Sequence, residues 1–214
     1  MGSLDPVAFD IETSGLDSGA VITVAGLATD IGAWLGLNTT GRDADPSRLE
    51  AAVERRSGSN VRVAVFPDER GLLEGIEAFA TERIDGDRQY LTAYNGERWR
   101  GGFDLPFLRR ACASHSTEWP FPDVAYADTM DAVERFHTGD DDLAGAYEAL
   151  IGGDHPDPFA DSASAVSSHE SGDWVALLLH NLADIERTRE IAVLAGAYVP
   201  KSDFRMKSLQ PPDV

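Results

Sequence analysis

Near the N-terminus the chain has the sequence Val7-Ala8-Phe9-Asp10-Ile11-Glu12-Thr13, and this stretch decides the fold. Its alternating pattern predicts a strand, because successive side chains of a strand point to opposite faces. Asp10 and Glu12 therefore lie side by side on one face. Two neighbouring carboxylates repel each other and lose hydration, and a divalent cation such as Mg²⁺ or Mn²⁺ offsets both effects. Taken alone, the pair fits a solvated acidic edge strand equally well.

Two segments further along the chain add acids and a histidine. The run 90–96 predicts a strand that ends in an Asn95-Gly96 turn. A helix is predicted to follow at about 104–115, with Asp104 in its first turn, where a carboxylate is favoured. Near the C-terminus a long helical pattern carries His180 and Asp184, which are four residues apart and so lie on the same side of the helix.

These three blocks, in this order, resemble the DEDD superfamily of 3′–5′ exonucleases. These are RNase H-like nucleases that include the proofreading domains of DNA polymerases. The matching motifs are Asp10-x-Glu12, then Asn95 with Phe103-Asp104-x-Pro106-Phe107-Leu108, then His180-x-x-x-Asp184. The resemblance implies an α/β fold of RNase H-like type, with a central mixed five-stranded sheet flanked by helices, over residues 1–200. The prolines beyond residue 200 indicate a loosely ordered C-terminal tail over 201–214.

The resemblance also implies a function. A metal-dependent exonuclease of this type hydrolyses phosphodiester bonds at the 3′ end of single-stranded DNA or RNA. Asp10, Glu12, Asp104 and Asp184 would bind two Mg²⁺ or Mn²⁺ ions, and His180 would accept the proton of the attacking water. An ordinary histidine pKa of about 6.5 leaves the ring largely neutral near pH 7 to 8. The family divides into Y-x-x-x-D and H-x-x-x-x-D types, and this chain has histidine at the tyrosine spacing.

Further residues are candidate substrate contacts. The resemblance suggests that Leu16 lies beside the terminal base as an apolar wedge, although a turn residue tucked into the core explains it equally well. Basic residues cluster around both later blocks, where they would hold phosphates. Pairing with neighbouring acids, such as Arg187 with Glu186, is the alternative. The candidate substrate contacts are Thr13, Leu16, Asn95 and Arg109, and the first basic cluster comprises Arg98, Arg100, Arg109 and Arg110.

Composition bounds the class of protein. The chain has 214 residues, enough for one α/β domain, and carries 37 acidic against 18 basic residues, for a net charge of −19. Only two of the bases are lysines, Lys201 and Lys207. Such an acid-rich, lysine-poor composition resembles proteins of salt-loving organisms. At about 1 M salt the Debye length is roughly 3 Å, so repulsion of nucleic acid is screened and short-range metal–phosphate contacts would dominate binding.

The cysteine, the histidines and the absence of apolar runs bear on where the protein is located and on which segments are exposed. Cys112 is the single cysteine and is predicted to be a buried thiol, in keeping with a reducing cytoplasm. No signal peptide and no membrane-spanning apolar run is visible, which predicts a cytoplasmic protein without membrane contact. The segment 152–161 is predicted to be an exposed loop. The other histidines are predicted to lie at the surface, and they are His115, His137, His155 and His169.

Two other functions remain open at this point. The first is a catalytically silent, nuclease-like module that binds nucleic acid. The second is a phosphodiesterase that acts on short oligonucleotides. The presence of all four acids disfavours the first, because a module that only binds has no need of them. The sequence does not choose between DNA and RNA or indicate an oligomeric state.

Overall fold

The computed structural model describes residues 4–97, 102–139, 142–153, 155–159, 162–203 and 205–212. Its first three strands form an antiparallel meander. They are β1 (Asp5–Thr13), β2 (Ile22–Thr29) and β3 (Gly32–Asn38). All three are buried along most of their length because helices cover both faces of the sheet.

Four more strands complete the sheet. They are β4 (Val61–Phe66), β5 (Gln89–Thr92), β6 (Ala125–Tyr126) and β7 (Lys207–Ser208). Strand β4 pairs in parallel with β3, β5 with β1 and β6 with β5, whereas β7 is antiparallel to β6. The strand order is β4-β3-β2-β1-β5-β6-β7, so β1 lies at the centre.

The predicted class is confirmed, because the chain is an α/β protein with a mixed sheet flanked by helices, broadly consistent with an RNase H-like fold. The predicted count of five strands is wrong, and the described residues form seven. Strand β4 extends one edge of the sheet and β7 the other. Strand β7 lies in the predicted tail, and the adjoining Leu209 is buried against the core.

The described residues include seven α-helices that accompany the sheet. Aspartates cap five of them, each accepting a backbone N–H of the first turn, so part of the chain's acidic excess has a local structural use. The helices are α1 (Pro46–Ser57), α2 (Glu69–Arg83), α3 (Asp104–His115), α4 (Thr129–Val133), α5 (Leu143–Leu150), α6 (Ser162–Ser171) and α7 (Trp174–Tyr198).

The two faces of β1 contribute to two hydrophobic cores. Val7, Phe9 and Ile11 pack against α2 and α3 on one face. Ala8 packs against α7 on the other face. Because side chains alternate along a strand, Asp10 and Glu12 share the face of Ala8 and are directed toward α7. The alternation predicted from the sequence thus determines which helix the two acids meet.

Within the described part of the chain, none of the helices has the length and apolar character that crossing a membrane requires.

Candidate active site

Helix α7 approaches β1 closely at Asp10. The Asn181 side-chain nitrogen Nδ2 donates to Asp10 Oδ2 at 2.8 Å and to its backbone oxygen at 3.3 Å. Asp10 pairs across the sheet with Gly26, and a Cβ added to Gly26 would lie 2.1 Å from Asn181 Oδ1. The missing side chain at Gly26 is therefore what allows Asn181 to reach Asp10.

Glu12, His180 and Asp184 form a compact group one step further along β1. His180 Nε2 lies 3.5 Å from Glu12 Oε1 and 3.7 Å from Asp184 Oδ2. One potential ligand atom from each residue lies within 4.8 Å of the others. Glu12 is 8% exposed and His180 is 9% exposed. The predicted i, i+4 arrangement on α7 thus brings His180 and Asp184 to the acid on β1.

Asp104 joins these residues from the first turn of α3. It is 7% exposed, and a backbone hydrogen bond from Ile11 holds its carboxylate at β1. Its charge is close enough to Asp10 to raise the pKa of that carboxyl, and Glu12 acts on Asp104 in the same way. The four acids singled out in the sequence therefore meet where β1 ends, although they come from three distant parts of the chain.

Burial and mutual repulsion dominate the electrostatics of these acids. Burial raises the pKa of Asp10 well above its usual range, and the charges of the other three acids add to the effect. Burial likewise raises the pKa of Glu12 to about 7 and that of Asp104 to about 8, and it raises the pKa of Asp184. Among the described residues, neither Asp10 nor Asp104 has an arginine or lysine partner.

A divalent cation fits this donor set. Hard cations such as Mg²⁺ and Mn²⁺ take carboxylate oxygens, and their charge favours the ionised form of each acid. Among the described residues, Glu12, His180 and Asp184 lie close enough together to hold one such ion. The raised pKa values of Glu12 and Asp184 show that burial outweighs the positive charge that His180 and Arg187 supply to these two acids.

The protonation state predicted for His180 is wrong for the metal-free protein. Burial lowers the pKa of His180, but its hydrogen bond to Asp157 and the charges of Glu12 and Asp184 outweigh burial and raise the pKa to about 9. The imidazole is therefore protonated near neutral pH. The prediction used an ordinary histidine pKa, because the sequence alone does not show which acids lie beside the ring.

Asp157 and Arg187 complete the group around His180. His180 Nδ1 lies 2.8 Å from Asp157 Oδ1, and Arg187 Nη1 donates to Asp157 Oδ2 at 2.8 Å. Arg187 Nη1 also donates to Asp184 Oδ1 at 3.0 Å. The sequence offered Arg187 as a phosphate contact or as a partner of Glu186, and the structure pairs it with these two aspartates instead. Asp157 was missed altogether, because it lies in the segment predicted to be an exposed loop.

Two histidines predicted to lie at the surface are engaged within the protein, His155 half-buried and His169 buried. His155 Nδ1 lies 3.0 Å from Glu186 Oε2, and its Nε2 lies 3.1 Å from the Tyr147 hydroxyl. His169 is buried, with Nε2 3.2 Å from the backbone oxygen of Asn38. The contacts of the two histidines join different elements of the fold. A local sequence pattern therefore does not predict them.

Of the predicted substrate contacts, Thr13 and Leu16 lie just beyond the acids of β1. Leu16 is 85% exposed, which excludes a place in the core and leaves the side chain free at the surface. Thr13 closes the turn, because its hydroxyl donates to the Gly15 backbone oxygen at 2.9 Å. The turn is thus fixed at its base and presents an apolar side chain at its tip.

Asn95 and Arg109 are engaged within the protein. The Asn95 backbone has a φ of 59°, in the left-handed region that asparagine tolerates, and its N–H donates to Asp128. Its side-chain oxygen is buried without a hydrogen-bond partner. Arg109 forms an ion pair with Glu97, which also binds Lys207. Two other arginines of this predicted basic cluster, at positions 98 and 100, lie outside the described residues.

Asp128 is a second residue that sequence reasoning missed. Its carboxylate accepts from the backbone N–H groups of Asn95 at 2.9 Å and Met130 at 3.1 Å, and from the Tyr126 hydroxyl at 3.0 Å. It thereby fixes the turn that precedes α3, and its charge contributes to the raised pKa of Asp104. The only signal in the sequence was its position as a candidate helix cap.

No model of a known protein family matches the chain, and no curated protein is significantly similar to it.

Proposed function

We propose that this protein is a metal-dependent 3′–5′ exonuclease that hydrolyses phosphodiester bonds at the 3′ end of single-stranded DNA or RNA. One observation carries the proposal. Four carboxylates from β1, α3 and α7 lie together, with Glu12 and Asp104 buried and Asp10 and Asp184 half-buried; loss of hydration raises the pKa of each, and repulsion among the acids adds to it for Asp10, Glu12 and Asp104. The polarity and the stepwise mode rest on the motif resemblance, whereas the acid cluster supports phosphodiester hydrolysis more generally.

Asp10, Glu12, Asp104 and Asp184 are the proposed ligands. Two divalent ions held there would supply the charge that lowers the pKa of a water molecule and stabilises the attacking and leaving oxygens. Asn181 orients Asp10, and Arg187 offsets part of the charge of Asp184. Each carboxylate is thus held by a neighbouring helix or backbone group before any ion arrives.

His180 is the proposed proton acceptor. Its Nδ1 is engaged by Asp157, so Nε2 is the nitrogen that faces Glu12 and Asp184. Neutralisation of these two acids removes two of the causes that raise the pKa of His180. The ring would then lose its proton and become able to accept one from water.

The charges of the protein bear on how a nucleic acid would bind. Two described arginines of the first basic cluster are already engaged: Arg109 with Glu97, and Arg110 with the backbone oxygens of Asp17 and Ala20. Binding would therefore rest on contacts at the acid cluster and on the exposed Leu16. We expect activity to persist at about 1 M KCl, where repulsion by the net charge of −19 is screened.

A gel assay tests the proposal. Single-stranded DNA and RNA of one sequence, labelled at the 5′ end, are incubated with the protein in concentrated KCl and Mn²⁺ or Mg²⁺. EDTA and the Asp10→Ala variant serve as controls. A ladder that shortens from the 3′ end and disappears in both controls supports the exonuclease. Binding without cleavage would favour the silent module, and cleavage of very short oligonucleotides alone would favour the oligonucleotide phosphodiesterase.

A further inference from the structure

The segment 155–159 is attached to α7 along its length. His155 contacts Glu186 on α7 through Nδ1. Asp157 contacts His180 and Arg187. The Phe159 ring lies against the His180 imidazole, with the ring centres 5.1 Å apart and the planes at 56°. The segment thus covers the side of His180 that is turned away from Glu12.

The carboxylate of Asp157 divides its hydrogen bonds between its two oxygens. Oδ1 faces His180 Nδ1 at 2.8 Å and accepts from the Phe159 backbone N–H at 3.1 Å, while Oδ2 accepts from Arg187 at 2.8 Å. Burial raises the pKa of Asp157, but the hydrogen bonds from His180 and Arg187 outweigh burial and lower it to about 2. An ionised carboxylate has no proton to give, so Nδ1 of His180 must be the donor in this contact.

We propose that Asp157 is a positioning residue that keeps the proton of the neutral His180 ring on Nδ1, so that Nε2 faces Glu12 and Asp184 as a proton acceptor. The inference rests on the proposed function, in which His180 accepts the proton of the attacking water. Phe159 restricts rotation of the ring from the same side. Fixing the tautomer through the second nitrogen is a general means of preparing a histidine for this task.

The Asp157→Asn substitution separates this role from packing, because the two side chains have the same shape. Arg187 requires an acceptor and would take the amide oxygen, which leaves the amide nitrogen facing Nδ1. Nδ1 would then have to accept, and the proton of the neutral ring would move to Nε2. We expect kcat to fall by about 10²- to 10³-fold with KM changed by less than about threefold, since substrate binding does not involve this face of the ring.

Glu186→Gln is the matched control. Glu186 anchors the same segment to α7 through His155, whereas the hydrogen bonds of Asp157 go to His180, Phe159 and Arg187. Its replacement should lower stability while kcat stays within about threefold of wild type. A kcat for Asp157→Asn within the same limits, in a protein whose wild type cleaves nucleic acid, would overturn the positioning role.

A measurement without nucleic acid keeps the inference separate from the proposed function. The metal-free ring is neutral only above its pKa of about 9, and there the Nδ1 proton of His180 should give a downfield NMR resonance in the wild type, assigned by its absence from His180→Gln. It should persist in Glu186→Gln and vanish in Asp157→Asn. If the wild type fails to cleave nucleic acid, the exonuclease proposal fails while this resonance still tests the contact. Its absence from wild type, or its persistence in Asp157→Asn, would overturn the inference.

Discussion

Replacing Asp104 with Asn should stabilise the metal-free protein, and the gain should grow as the pH rises. Burial raises the pKa of Asp104 from 3.8 to about 8. Folding therefore carries no penalty from this group below about pH 4, where the carboxyl is protonated in both states. The penalty grows as the unfolded chain ionises and becomes constant once the pH exceeds the folded-state pKa. Asparagine keeps the shape of the side chain but cannot ionise.

The size of the gain follows from that pKa. At about 1.4 kcal/mol for each tenfold change in proton affinity, a rise from 3.8 to about 8 corresponds to at most about 6 kcal/mol. Asp10 and Glu12 bind protons in competition with Asp104, so neutralising one acid relieves only part of the repulsion. We expect the free energy of unfolding to rise by about 2–4 kcal/mol at about pH 8. For a chain of this length the melting temperature would rise by roughly 4–16 °C.

Thermal melts in EDTA and constant KCl at about pH 5, 6.5 and 8 measure this dependence. Asp123→Asn provides a matched control, because it makes the same substitution at an exposed position. The Asp104 variant should gain most at the highest pH, and the control should gain little at any pH. A gain that is equal at all three values, or none at the highest, would refute the proposed repulsion among the buried acids.

Three further outcomes are expected. Asp10→Ala should abolish cleavage and also the rise in melting temperature that Mn²⁺ gives the wild type; a retained rise would place the metal elsewhere. Gly26→Ala should lower the free energy of unfolding by about 1–3 kcal/mol in urea titrations, because its Cβ would collide with Asn181. Gly196→Ala, with open space on α7, should instead raise it by about 0.5–1 kcal/mol. Leu16→Ser should leave stability unchanged but raise KM for nucleic acid; an unchanged KM would remove Leu16 from the substrate contacts.

Local patterns in the sequence were sufficient for much of the fold. The alternation in β1 gave the strand and the shared face of its two acids. Helix α3 begins at Asp104, as the first-turn acid suggested. These features depend on residues within one or two turns of each other, which is the range over which periodicity carries information.

The features that were missed depend on contacts between distant segments. Asp157 is 23 positions from His180, and Asp128 is 33 positions from Asn95. Strand β7 has two exposed residues, which is too short for an alternating pattern to appear. The pKa of His180 depends on acids from β1 and from the 155–159 segment. Only the folded chain brings these groups together, so the site's acids could be found from the sequence but not the groups that support them.

The most direct test of the central claim is to identify the first product released from a single-stranded oligonucleotide whose 3′-terminal base differs from all the others. Mass spectrometry follows the products over time with Mn²⁺ present. The proposed exonuclease predicts that the terminal nucleotide appears first and that EDTA abolishes its release. Internal fragments appearing first, or an intact strand with folded, Mn²⁺-bound protein, would contradict the proposal.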